Sequence, residues 1–207
     1  IMSWDDHEVD NNQAGAIDEN GTPPEVYLLR RAAAYQAYYE TMPLRRAQWP
    51  QGANLTLYRR LKFGNLIDMN VLDTRQYRSD QPCGDGSKTG CADRLDPSRT
   101  MLGAEQEEWL FKNLANASGR WTVLAQQVPI YQRNFIKAAP NGQFSMDKWD
   151  AYTVARDRLQ KKLVETKAPN PIALSGDVHL HYGADLKLNY DDPNSPTIGT
   201  EFTGTSI

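Results

Sequence analysis

Pro171-Ile-Ala-Leu-Ser-Gly-Asp-Val-His179 is a short apolar run that stops on a serine and a glycine and then presents an acid and a histidine. Its length and its Ile-Ala-Leu centre read as a buried strand. Gly176 permits a sharp turn at the strand's end. The helical and strand-like segments before it alternate, which is the pattern of an α/β domain. In such domains ligands bind at the carboxyl edge of the sheet. On an extended segment alternate side chains share a face, so Asp177 and His179 are expected to converge there as carboxylate and imidazole, a combination that suits a metal ion.

Working back along the chain, Trp149 to Thr166 reads as a basic helix and Trp121 to Gln126 as a short apolar strand. Leu102 to Ala117 is an amphipathic helix with Glu105, Glu107 and Glu108 near its positive start. Gly119 reads as its terminator. Asn54 to Arg60 and Gly64 to Asp73 alternate as strands do. Glu25 to Tyr39 reads as a helix behind Pro23-Pro24, with Tyr27, Tyr35, Tyr38 and Tyr39 as packing groups. After the Asp177 segment, His181 to Leu188 and Thr200 to Phe202 are further strands. The stretch from Arg75 to Thr100 is too long for a simple connector, so a staple or a role as a site wall is expected of it. Its two cysteines, Cys83 and Cys91, are the only ones in the chain. They suit either a disulfide, which implies an oxidising compartment, or a pair of free thiols. Their spacing is not that of a zinc knuckle.

The chain has 207 residues and a formal net charge of −3, with 40% hydrophobic and 24% charged residues. That is a globular composition with a sizeable core. No run is long enough for a membrane helix. No basic stripe marks a duplex-binding face, so no specific nucleic-acid partner is expected. The ends, Ile1-Met2-Ser3 and Thr205-Ser206-Ile207, read as internal to a longer chain without its signal peptide.

Only three histidines are present, and His7 stands in a second acidic segment, Trp4-Asp-Asp-His-Glu-Val-Asp-Asn-Asn12. So many like charges repel unless a cation sits among them. Asp5 and Asp6 point apart if extended, one toward a metal and one toward a supporting partner. His7 beside them suits a general acid. Arg75 suits a bidentate phosphate clamp or a buried partner for Asp73. Arg59 is a weaker candidate for the same clamp.

These segments, with Leu72-Asp-Thr-Arg-Gln-Tyr-Arg78, Leu102-Gly-Ala-Glu-Gln106, Leu174-Ser-Gly-Asp-Val-His179 and Glu201-Phe202 with Thr205-Ser206, resemble the PhoD family of alkaline phosphatases and phosphodiesterases. The resemblance implies a calcineurin-like metallophosphoesterase fold, a sandwich of two mixed β-sheets flanked by helices. It implies a partial catalytic domain over residues 1–207, with the N-terminal strands missing. It implies an exported, periplasmic or secreted enzyme that hydrolyses phosphate monoesters or diesters, nucleotides included, by metal-bound hydroxide. The metals implied are calcium and iron. Matched position by position, Asp6, Asp177 and His179 are metal ligands and His7 is the acid. Arg75 is the phosphate contact, and Asp5 and Asn12 are secondary candidates. The family's upstream bridging aspartate, tyrosine and cysteine ligands are not in this sequence. A fragment that binds metal weakly and turns over nothing is therefore the alternative.

Overall fold

The computed structural model describes residues 1–136 and 142–205. Ser206 of the last matching segment lies outside the described residues.

The framework is a mixed sheet of six strands. Its centre is parallel: β2 (Ile67–Val71), β4 (Trp121–Ala125), β6 (Pro171–Ser175) and β8 (Thr197–Thr203) lie side by side. β1 (Arg59–Phe63) flanks β2 and β7 (Tyr182–Lys187) flanks β8, both antiparallel. Parallel neighbours need crossovers. α2 (Gly103–Ala115) joins β2 to β4, and α3 (Thr153–Glu165) joins β4 to β6. A second sheet is a ribbon of two strands, β3 (Ser87–Thr89) paired with β5 (Gln143–Ser145). This is the mixed α/β architecture with two sheets and flanking helices expected from the sequence.

The main core lies under α2 and α3. Leu110 and Leu114 of α2 and Leu159 and Leu163 of α3 pack with Leu124 and Ala173 from the strands and with Leu72 just beyond β2. Burying each such side chain stabilises the fold by roughly 1.5–3 kcal/mol. A second core lies under α1 (Pro24–Thr41). There Trp4 stacks on Tyr35 with ring centroids 4.3 Å apart and meets Tyr38 edge-on at 5.5 Å. Trp4 immediately precedes Asp5, so this stack anchors the first acidic segment. The tyrosines of α1 are packing groups, as their spacing indicates.

Some boundaries differ from the sequence reading. Asn54 to Tyr58 is not strand; Leu55 and Leu57 alternate because they plug the second core from an irregular segment, and β1 starts only at Arg59. The basic helix does not run from Trp149: a 3-10 turn over Trp149–Ala151 precedes α3. Gly119 is not the terminator of α2, which is capped at Asn116. A Cβ on Gly119 would sit 2.7 Å from the backbone nitrogen of Asp68, so glycine is needed for close approach of the loop to β2.

Candidate metal and phosphoester site

All four parallel strands end on one edge, and each delivers site residues there. Beyond β2 the chain reaches Asp73 and Arg75; beyond β4, Gln126 and Gln127; beyond β6, Gly176 and Asp177; beyond β8, Gly204. The Trp4-anchored segment folds over this edge. Its turn is closed by backbone bonds from Val9 and Asp10 to the Asp6 carbonyl, both 2.9 Å, and by Asp5 N–H donating to Glu8 Oε2 at 2.7 Å. The turn corrects the extended reading of this segment: Asp5 and Asp6 reach the same point. Carboxylate oxygens of Asp5, Asp6 and Asp177 all lie within 4.8 Å of one another.

Asp177 reaches that point by an unusual backbone. Its φ is 68° and that of His179 is 54°, both in the left-handed region that costs a non-glycine residue energy. The expected extended Asp-Val-His is therefore a tight double bend. It separates the two side chains: Asp177 joins the carboxylate cluster, whereas His179 is exposed and stands at the rim. A cavity of about 590 Å³ opens over the cluster and is lined by Asp5, Asp6, His7, Asn12, Asp177 and His179, among others. Four positions singled out by sequence, Asp6, His7, Asp177 and His179, and the secondary candidates Asp5 and Asn12 thus share one cavity.

Arg75 is placed behind the carboxylates. Its side chain is fully buried, and all three of its nitrogens are engaged. Nε donates to Asp5 Oδ1 at 2.6 Å, Nη1 to both oxygens of Asp147 at 2.9 and 3.1 Å, and Nη2 to Asp177 Oδ1 at 3.0 Å. Asp73 does not pair with this guanidinium; it accepts the Arg75 and Gln76 backbone N–H groups, both at 2.9 Å. Arg59 is spent on the carbonyls of Leu57 and Met2 at 2.7 and 2.6 Å, tying down the N-terminal segment.

Two site residues were not found from sequence. Asp147 binds Arg75 and Arg78 and also Lys148, and Lys148 in turn contacts Asp177. The one local signal was a charged pair, Asp147-Lys148, set between Met146 and Trp149. Asn12 accepts a supporting role: its N–H donates to Asp6 Oδ2 at 3.0 Å, and its amide donates to Asp85 at 2.5 Å. Asp85 lies in the long loop, which is stapled by the Cys83–Cys91 disulfide with Cα atoms 6.1 Å apart. The loop does not line the cavity over the carboxylates, as a site wall would; it reaches the site from behind, through Asp85 on Asn12.

The electrostatics are unsettled in one respect. Burial lifts the Asp5 carboxyl above its ordinary range, and the neighbouring Asp6 adds to the shift, so that even Arg75 does not compensate. Asp6 is itself buried, but Arg75 and the Asn12 N–H outweigh that and hold it below the usual range. Asp147 is held well below it by Arg75, Arg78 and Lys148 despite burial. Crowded oxygen donors with a penalised charge on one of them fit a hard cation shared by the three carboxylates.

Residues 1–207 match the profile described as PhoD-like phosphatase. Alkaline phosphatase D of Bacillus subtilis (strain 168) is 46% identical over 207 residues, which is 100% of this chain and 35% of that protein. A solved structure described as "Structure of PhoD" superposes with a TM-score of 0.95 at 46% identity, covering 99% of this chain and 39% of the other. The chain thus spans about a third of the relatives it matches, and it belongs to the PhoD-like phosphatase family.

Proposed function

We propose that this chain carries part of a metal-dependent phosphoesterase centre, one that hydrolyses phosphate monoesters or diesters. The observation that supports the reading most is the convergence of Asp5, Asp6 and Asp177 within 4.8 Å at the carboxyl edge of the sheet. A hard cation held there, calcium or ferric iron, polarises a phosphoryl oxygen and neutralises charge that develops on it.

The chain's own residues take these parts. Asp6 and Asp177 are the principal carboxylate ligands, with Asp5 beside them. His179, which lines the same cavity, would supply an imidazole ligand. Arg75 keeps the three carboxylates aimed at one point by holding Asp5 and Asp177 from behind. In this role it acts on substrate through the carboxylates, not as a direct clamp. Asn12 fixes the Asp6 oxygen it bonds. His7 is exposed at the cavity mouth, where it can act as the general acid toward the departing alkoxide oxygen. Substrates of this class are small-molecule phosphoesters, including nucleotides. The disulfide supports a periplasmic or secreted setting.

The test is hydrolysis of p-nitrophenyl phosphate and bis(p-nitrophenyl) phosphate by the purified chain supplied with calcium and iron. Chelator-sensitive turnover that falls at least about 100-fold in Asp177→Asn is expected. Turnover unaffected by Asp6→Asn and Asp177→Asn would contradict the assignment.

A further inference from the structure

A second cavity, of about 180 Å³, adjoins the first. Lys148 and Asp177 line both and form the partition. The remaining wall includes Tyr131, Arg133, Phe135, Ser87 and Ser145. Three features set this cavity apart from a packing defect.

The first is a cation without a counter-charge. Among the described residues, no carboxylate pairs with the Arg133 guanidinium. Asp150, which also lines this cavity, is neutralised by Arg156 at 2.6 Å and receives from Arg133 only its backbone N–H, at 2.8 Å. The second is a buried donor with nothing to bond. Tyr131 is 8% exposed, and its hydroxyl has no hydrogen-bond partner among the described residues. Such a group costs free energy in a folded chain unless something satisfies it. The third is rigidity. The Arg133 guanidinium lies over Phe135 at 4.8 Å and Tyr182 at 4.7 Å, and it donates to the Tyr182 hydroxyl at 2.7 Å. The Tyr131 backbone is fixed from below, because the Ile130 and Tyr131 N–H groups donate to buried Glu201 at 3.0 and 2.8 Å.

We propose that this cavity is a subsite for an anionic group carried on the alcohol side of the phosphoester, with Arg133 as its charge partner and the Tyr131 hydroxyl as a second donor. The inference rests on the carboxylate cluster being the phosphoryl site. A substrate phosphoryl at the cluster then extends past Lys148 into the second cavity. Arg133 becomes a specificity-determining residue: it favours esters whose alcohol bears a carboxylate or further phosphate over neutral ones of the same length.

The test needs no turnover. The full chain, in excess calcium, is titrated calorimetrically with propylphosphonate and with phosphonopropionate. The two probes differ in a terminal carboxylate. The carboxylate is expected to tighten binding roughly tenfold, the worth of one charge-assisted hydrogen bond. Arg133→Gln is expected to abolish that gain and leave propylphosphonate unchanged, and Arg133→Lys to restore most of it. Tyr131→Phe removes an unpaired hydroxyl, so it is expected to keep the thermal midpoint and to reduce the gain at least about twofold. Equal binding of the two probes would overturn the subsite, as would a gain that survives both Arg133→Gln and Tyr131→Phe. Asp6→Asn separates the two claims. If it leaves propylphosphonate affinity untouched while the gain persists and still depends on Arg133, the cluster assignment fails and the subsite stands.

Discussion

Arg75 Nη2 donates to Asp177 Oδ1 at 3.0 Å across 102 residues of sequence. The contact joins the end of β2 to the end of β6 and sets the direction in which Asp177 faces. The same guanidinium holds Asp5 and Asp147. Burial opposes charge on Arg75, but these carboxylates outweigh it and raise its pKa above the ordinary arginine value. Removing one partner of a buried charge network leaves the others uncompensated. Arg75→Met is therefore expected to destabilise the chain by about 3–5 kcal/mol in urea unfolding. Arg75→Lys should rescue little, because one ammonium cannot satisfy three carboxylates in a fork. An unchanged midpoint for either variant would contradict the role.

His7 is expected to matter only where the leaving oxygen needs a proton. His7→Ala should lower turnover of an alkyl phosphoester by roughly 100-fold. It should spare p-nitrophenyl esters, whose phenolate leaves unaided. Equal losses on both substrates would remove His7 from the acid's role.

The sequence makes the parallel centre legible, and the reason is local. β4 and β6 are short apolar runs, and α2 carries an apolar side through Leu110 and Leu114. The ribbon of β3 and β5 left no such trace. Each of its strands has three residues, and they pair across a gap of more than fifty positions in sequence. The site was legible by residue type, since Asp5, Asp6, His7, Asp177 and His179 do line one cavity. Its geometry was not. The left-handed bends at Asp177 and His179 fall on residue types that adopt that conformation only occasionally, and they pull apart two side chains that an extended strand would align. Arg75 reads as a phosphate clamp only when its partners are unknown, and those lie 70, 72 and 102 residues away.

Acid sensitivity should come partly from a pair far from the site. Asp68 of β2 is buried and bound by Arg60, whose Nε donates to Oδ1 at 2.6 Å. Burial alone would raise its pKa, but the Arg60 bonds and the Ser118 N–H hold it below the ordinary carboxylate value. A carboxyl lowered on folding contributes stability above its unfolded pKa and loses that contribution as pH falls through the folded value. Asp68→Asn should therefore cost stability at neutral pH and flatten the decline below about pH 4. A variant that parallels the parent curve at every pH would refute this.

The Cys83–Cys91 bridge closes a short loop, with a separation of 8. Opening it should cost about 2–3 kcal/mol. Because the same loop carries Asp85, which holds Asn12 at 2.5 Å, Cys83→Ser is also expected to weaken calcium affinity several-fold. Loss of stability with unaltered affinity would mean that the Asp85–Asn12 contact does not order the site.

Asp5, Asp6 and Asp177 are proposed to hold a cation together. Elemental analysis of the purified 207-residue chain for iron, calcium and zinc tests it most directly, run beside Asp6→Asn and Asp177→Asn. About one or more hard cations per chain are expected, calcium or iron in preference to zinc, with most of that metal lost in either variant. A chain essentially free of metal, or metal content indifferent to both substitutions, would contradict it.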